Sequence, residues 1–316
     1  MDNLSLIERL ASVEGEVMAQ LKDFQRETVL RVDHLFRSGQ DRVLVADEVG
    51  MGKTMVAKGV IAKMARLRHE EGDDLVKVVY VCSNQAIANQ NISEFDIFGT
   101  GYDDISTTRL SMQHLMIAKQ EKEKAEDQYV QLIPLTPSTS FRQTSGGGSA
   151  RERMVICAVL RRMPRFAPYD DELQGMMTFA APSVWSWAFK IWDDMVGEYE
   201  PYGKGVYIYD SLEAPGYAGL LDDIEAHLSE RASLPKDRFG RAPGDWDLIV
   251  RLRKAFAEIS VDMLNPDLVI MDEFQRFRFL INNKDPETKA LTDKFLLKKT
   301  DDMAEKVRVL LLSATP

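Results

Sequence analysis

Cysteine, histidine, excess positive charge and long apolar runs are all scarce in this 316-residue chain, and each shortage excludes something. The two cysteines, Cys82 and Cys157, lie inside apolar runs with no metal-ligand spacing around them. That argues against a disulfide framework or a zinc site, and for buried, reduced thiols in a cytoplasmic protein. The four histidines are scattered and read as surface or packing residues rather than ligands. A net charge of −10 is not the broad basic footprint of a protein that coats nucleic acid, so any such contact must come from local patches. No run approaches the roughly 20 apolar residues of a membrane helix. The opening "MDNLSLIERLASVEGEV" has early acids and no apolar block, so it reads as neither signal peptide nor anchor.

What is present is an alternation of helical and strand patterns, in a length that suits one large domain with an insertion or two small ones. Ile7, Leu10, Val13, Val17 and Leu21 share one helical face, and a second helix is expected from Gln25 to Ser38, ending at Gly39. "RVLVA", Arg42 to Ala46, is short, apolar and β-branched, and leads through a glycine-containing loop into a helix starting near Lys53. "VKVVYVC", Val76 to Cys82, is apolar on both faces, as a helix-covered parallel strand requires. Further strands are expected near Ile105 to Leu110, Tyr129 to Leu135, Asp267 to Glu273 and Val307 to Pro316, while "KQEKEKAEDQ" reads as a solvated helix face or loop.

"RQTSGGGSARER", Arg142 to Arg153, reads as a flexible break, since serine and glycine bury little. Beyond it, to Met263, only helical periodicity is visible. Trp185, Phe189 and Trp192 form an aromatic stripe that reads as core, with a base-stacking surface as the alternative. Arg151, Arg153, Arg161, Arg162 and Arg165 make the best basic patch, with a solvated helix face as the alternative. The expected fold is α/β, a doubly wound parallel sheet interrupted by a mainly helical insertion over residues 145–262, with residues 1–144 and 263–316 forming the other domain.

Two features carry chemistry. In "VGMGKT", the backbone N–H groups from Val49 through Gly50, Met51, Gly52, Lys53 and Thr54 face an anion at a helix N-terminus. Lys53 can reach terminal phosphates and Thr54 can ligate magnesium, so a nucleotide polyphosphate with Mg2+ is the expected ligand. The second feature is Asp272 and Glu273 at the C-terminal end of an apolar strand, where open α/β sheets collect ligands. Asp272 suits magnesium and Glu273 suits polarisation of attacking water; alone, the pair would read as a solvated acidic turn.

"FQRETV", "VADEVGMGKT", "VVYVCSNQAIANQN", "LVIMDEFQRF" and "LLSATP" stand in the order of the adenine-reading motif and motifs I, Ia, II and III of superfamily-2 helicases. The chain therefore resembles the N-terminal, RecA-like ATP-binding lobe of that superfamily. "ADEVGMGKT" most resembles the Swi/Snf-like translocases, in which an aspartate replaces the first loop glycine as Asp47 does here. The resemblance covers about half the chain. It implies that Gln25 contacts adenine, Lys53 binds the β and γ phosphates, Thr54 and Asp272 hold magnesium, and Glu273 is the catalytic carboxylate. It further implies that Ser313 and Thr315 couple the nucleotide site to a nucleic-acid groove, and that Thr136, Ser138, Thr139 and Ser140 of "LTPSTSF" meet phosphate oxygens, unless that segment is a mere turn.

One departure is Gln275, where many Swi/Snf relatives carry histidine; its amide can still hydrogen-bond a neighbouring motif. The motif order ends at motif III, so a second RecA-like lobe with an arginine finger is expected outside this chain, and hydrolysis by this lobe alone is expected to be weak. The expected partner is nucleic acid, on the resemblance duplex DNA, with a protein partner possible at the insertion and no membrane. The alternatives are an RNA-dependent helicase and a non-translocating ATP-binding switch that docks a protein.

Overall fold

Among the described residues, five short apolar runs become the strands of one parallel sheet. The computed structural model describes residues 3–48, 50–73, 75–99, 109–123, 129–136, 146–179, 181–205, 207–233, 242–277, 286–296 and 307–314. The chain divides into two compact units. The first comprises residues 1–108, 123–141 and 265–316; the second comprises residues 109–122 and 142–264. The boundary expected at residue 145 places residues 109–122 with the first unit, whereas they belong to the second, whose core takes in Met112 and Leu115.

In the first unit, α1 (Asn3–Gln20) and α2 (Asp23–Arg37) precede β1 (Arg42–Ala46), α3 (Lys53–Glu70), β2 (Val76–Val81) and α4 (Gln85–Phe95). β3 (Val130–Leu135), β4 (Leu268–Asp272) and β5 (Arg308–Ser313) complete the sheet, in the order β1-β5-β4-β2-β3 with every pairing parallel. β2, β3 and β4 are buried almost throughout, as parallel strands under helices are. β1 alternates, with Val43 and Val45 buried and Leu44 exposed.

Helix α3 packs on β2 and β4, α4 on β2 and β3, and α1 and α2 on α3. Val29, Val60, Ile61, Val78, Ile92, Ile270 and Leu310 lie in the resulting core. The close approach of α2 to α3 depends on Gly59, where an added Cβ would stand 2.7 Å from Val29 Cγ2. At the N-terminal end of the sheet, Arg68 holds Asp267 at 2.8 Å and Arg308 holds Glu71 at 2.7 Å. The strand expected over Ile105 to Leu110 is not seen where that stretch is described: Leu110 opens a 3-10 turn, Leu110–Met112, and residues 105–108 lie outside the described residues.

The described secondary-structure elements of the second unit are all helices, and they are named by their residues. Its centre is Ala150–Leu160, where every residue from Glu152 to Leu160 is buried. A helix buried all round is the core of its unit rather than a surface element. The basic patch read from the sequence is therefore absent. Arg153 is buried and donates to the carbonyls of Gly147, Gly148 and Met177. Arg161 pairs with Asp170 and Asp193, Arg162 with Asp193, and Arg165 with Asp222 and Glu225; only Arg151 is exposed.

The glycine-rich break is also anchored where it is described. Gly147 packs against Trp246, Arg253 donates to the carbonyl of Gly146, and Ser149 caps the central helix in a reciprocal pair with Glu152. Trp185 and Phe189 stack at 4.9 Å inside the core, and Trp192 packs against it, as the core reading of the aromatic stripe requires. Cys82 and Cys157 are both buried and free.

Candidate active site

Strand register brings the chemistry-bearing ends together. Ala46 of β1 pairs with Ser313 of β5, and Asp272 of β4 pairs with Leu312 of β5. The glycine loop, Ser313 and the Asp272–Glu273 pair thus leave adjacent strands at one level. With strands about 4.8 Å apart, the ends of β1 and β4 are separated by about 10 Å, a gap that a polyphosphate and two side chains can bridge.

The loop geometry explains why its glycines are unequal. Gly50 and Gly52 have φ of 85° and 78°, a left-handed conformation that disfavours any side chain. An added Cβ at Gly52 would also lie 2.5 Å from Gln25 Nε2. Asp47 is not among the left-handed residues, so no glycine is needed there. Its N–H donates to the Ser313 carbonyl at 3.2 Å, tying the loop entry to β5. Lys53 opens α3, and its ammonium group donates to the carbonyls of Asp47 and Glu48 at 3.1 and 3.2 Å. Thr54 follows in the first turn of α3, half-buried, where backbone N–H groups have no intrahelical acceptor. Val49 lies outside the described residues, and Met51 is exposed.

Gln25 is buried. Its Oε1 accepts from the Lys22 N–H at 3.0 Å and its Nε2 donates to the Met51 carbonyl at 2.9 Å, so it links the start of α2 to the loop. One amide proton and one carbonyl lone pair of Gln25 remain beyond these two bonds.

On β4, Glu273 has φ of 53°, an uncommon conformation for a residue with a side chain, which turns the chain sharply out of the strand. Its carboxylate meets Arg276 at 2.8 Å. Gln275 accepts a hydrogen bond from Ser313 Oγ at 3.1 Å, so the residue that departs from the Swi/Snf pattern touches the end of β5. Thr315, Ser138, Thr139 and Ser140 lie outside the described residues. Thr136 is described and is buried, so it does not present its hydroxyl to a polymer.

Tyr80 and Asn91, which the sequence does not mark individually, stand at the site, as does Cys82, expected only as a buried thiol. Tyr80 donates to Asp272 Oδ2 at 2.7 Å and accepts from Asn91 Nδ2 at 2.6 Å. Burial, reinforced by the Asp272 charge, raises the Tyr80 phenol well above its ordinary value, so it remains a donor. Burial pushes the Cys82 thiol up to about 11, with Asp272 and Glu273 adding to the shift and the Asn84 backbone opposing it. A tyrosine inside an otherwise aliphatic strand was the available signal, because a buried phenol oxygen needs a partner.

No helix among the described residues is long and apolar enough to cross a membrane. Residues 18–146 match the family described as Type III restriction enzyme, res subunit, a superfamily-2 helicase-like ATPase domain. The match runs from the end of α1 past β3 and covers less than half the chain, without β4 or β5. No curated protein and no solved structure matches the chain. The similarity is thus to a helicase-like ATPase domain with a RecA-like fold, and the Swi/Snf-like group that the loop motif resembles is not the family matched.

Proposed function

We propose that the first unit is the ATP-binding lobe of an ATP-dependent nucleic-acid translocase of the Swi/Snf-like kind, acting on duplex DNA together with a second RecA-like lobe. The observation that carries the reading is the level alignment of the glycine loop, Ser313 and Asp272–Glu273 on adjacent parallel strands. The similarity of residues 18–146 to a helicase-like ATPase domain supports it.

Phosphate binding draws Lys53 from the Asp47 and Glu48 carbonyls onto the β and γ phosphates, exchanging two neutral acceptors for charged ones. The backbone from Gly50 to Thr54 wraps the phosphates, in a loop whose left-handed φ and contact with Gln25 both exclude a side chain at Gly52. Magnesium taken up with nucleotide needs only one or two protein oxygens, and Thr54 and Asp272 supply hard donors of the right kind. When bound there, the cation would neutralise charge on the phosphates. Glu273, released from Arg276, orients the attacking water and accepts its proton. Gln25 reads the adenine edge with its unused amide proton. Gln275 and Ser313 link the hydrolytic carboxylate to β5, a path along which nucleotide state can reach the polymer track.

The test is ATP turnover by the protein joined to its second lobe, measured with duplex DNA, single-stranded DNA and RNA in parallel. Duplex DNA is expected to stimulate most, and Lys53→Ala to remove turnover. Glu273→Gln is expected to retain ATP binding while slowing hydrolysis by about 10² or more, the scale of a lost general base. Undiminished turnover in Lys53→Ala would refute the phosphate-loop assignment; stimulation by RNA alone would replace the DNA translocase with an RNA-dependent helicase. Polymer binding that ignores salt would favour a protein-docking switch.

A further inference from the structure

Asp272 is held from the next strand. Tyr80 faces Ile270 across the β2–β4 ladder, and Asp272 lies two residues farther on the same face, about 6.6 Å along the strand. That distance matches the length of a tyrosine side chain, which is why its hydroxyl arrives at Asp272 Oδ2 at 2.7 Å. The direction of the bonds follows from the groups. A carboxylate only accepts, so the single phenol proton is spent on Asp272, and Asn91 must present its amide N–H to the phenol oxygen. The ring is 1% exposed and stands edge-on to Phe95 at 5.1 Å, so the hydroxyl has one position.

We propose that Tyr80 is a positioning residue for Asp272, oriented in turn by Asn91, and that this relay sets the affinity of the site for magnesium. The proposal rests on the nucleotide reading above. With Oδ2 pinned by the phenol, the carboxylate cannot rotate, and its remaining lone pairs keep one direction. Without the phenol, Asp272 samples several orientations and must be ordered again each time the cation binds. Groups that orient a metal-binding carboxylate typically change metal affinity by about 10- to 100-fold when removed.

The experiment is binding of a fluorescent ATP analogue to the purified chain across a magnesium titration and in EDTA. Tyr80→Phe is expected to raise the magnesium concentration for half-maximal binding by about 10- to 100-fold, with affinity in EDTA within about twofold of wild type. Asn91→Ala is expected to shift the midpoint in the same direction by less, and it serves as the test if Tyr80→Phe fails to fold. In an Asp272→Asn background, Tyr80→Phe should add nothing. Melting temperature falls under either a positioning or a purely structural role, so it does not decide. An unchanged magnesium midpoint in a folded Tyr80→Phe protein would overturn the proposal while leaving the nucleotide reading intact, as would a further shift in the Asp272→Asn background. A wild-type chain that bound no nucleotide would overturn the nucleotide reading and the relay with it.

Discussion

The Cys82 thiol, 2% exposed, keeps its proton to about pH 11 where an ordinary cysteine loses it near 9.0. Between those values the folded state holds a proton that the unfolded state has released. Stability therefore falls as pH rises through that window, and below pH 9 the group contributes no pH dependence. The loss reaches about 2–3 kcal/mol by pH 11, from about 1.4 kcal/mol per pH unit. Other groups titrate there too, so the difference between wild type and Cys82→Ala isolates it. Wild type should lose about 2 kcal/mol relative to the variant between pH 8.5 and 11 in urea unfolding, and a constant difference would show that the thiol is not held protonated. The same residue scale shows what the sequence made legible at the site. Lys53, Asp272 and Glu273 announce themselves by type and by position after apolar strands. Gln275 could be read as a hydrogen-bonding residue, but its partner Ser313 could not be assigned without the β4–β5 register. Tyr80 stands out only as a tyrosine in an aliphatic strand; its partner Asp272, 192 residues away, leaves no local pattern.

Helices α2 and α3 meet where Gly59 leaves room for Val29 and Leu21. Replacing a helix-interior glycine by alanine ordinarily gains about 1 kcal/mol from propensity. Here the new methyl would sit 2.7 Å from one Val29 methyl and 3.2 Å from the other, and 3.1 Å from Leu21 Cδ1. Val29 is β-branched and fully buried, so it has no rotamer into which to retreat. Overpacking of this kind costs about 1–3 kcal/mol, so the net expected effect of Gly59→Ala is a loss of about 1 kcal/mol. Thermal or urea unfolding would show it, and a stabilised variant would mean that α2 shifts freely on α3. Most elements were legible because each strand carries its own apolar run and each helix its own face. The exceptions have physical causes. The strand expected over Ile105 to Leu110 meets a helical stretch at Leu110, where Met112 and Leu115 enter the second unit's core and Ser111 and His114 bond to Glu152 and Glu200. The arginines after the glycine run looked like surface charge because their acidic partners, Asp170, Asp193, Asp222 and Glu225, lie 9 to 60 residues away in sequence.

At the scale of the whole molecule, the division into two units gives the helical insertion a second piece. Met112 and Leu115 belong to the second unit's core, Ser111 donates to Glu152, and His114 meets Glu200 at 2.7 Å with both side chains fully buried. Every one of those partners lies within 142–264, so removing 147–260 alone would strand 109–122 without them. Each fully buried apolar side chain returned to water costs about 1.5–3 kcal/mol, and breaking a buried polar pair costs about 3–5 kcal/mol. The exposed apolar surface is also a site for aggregation. Excision of 147–260 alone is therefore expected to give an aggregating product. Excision of both 110–122 and 147–260, each replaced by a short Gly/Ser linker, is expected to give a soluble lobe that binds ATP within about threefold of the intact chain. The linkers restore continuity at little cost, because loop-closure entropy grows only slowly with length. Size-exclusion profiles and nucleotide titrations of the two deletions separate the outcomes. Equal solubility of both would show that 109–122 does not depend on the helical unit, and loss of ATP binding by a folded double deletion would show that the phosphate site is not made by the first unit alone.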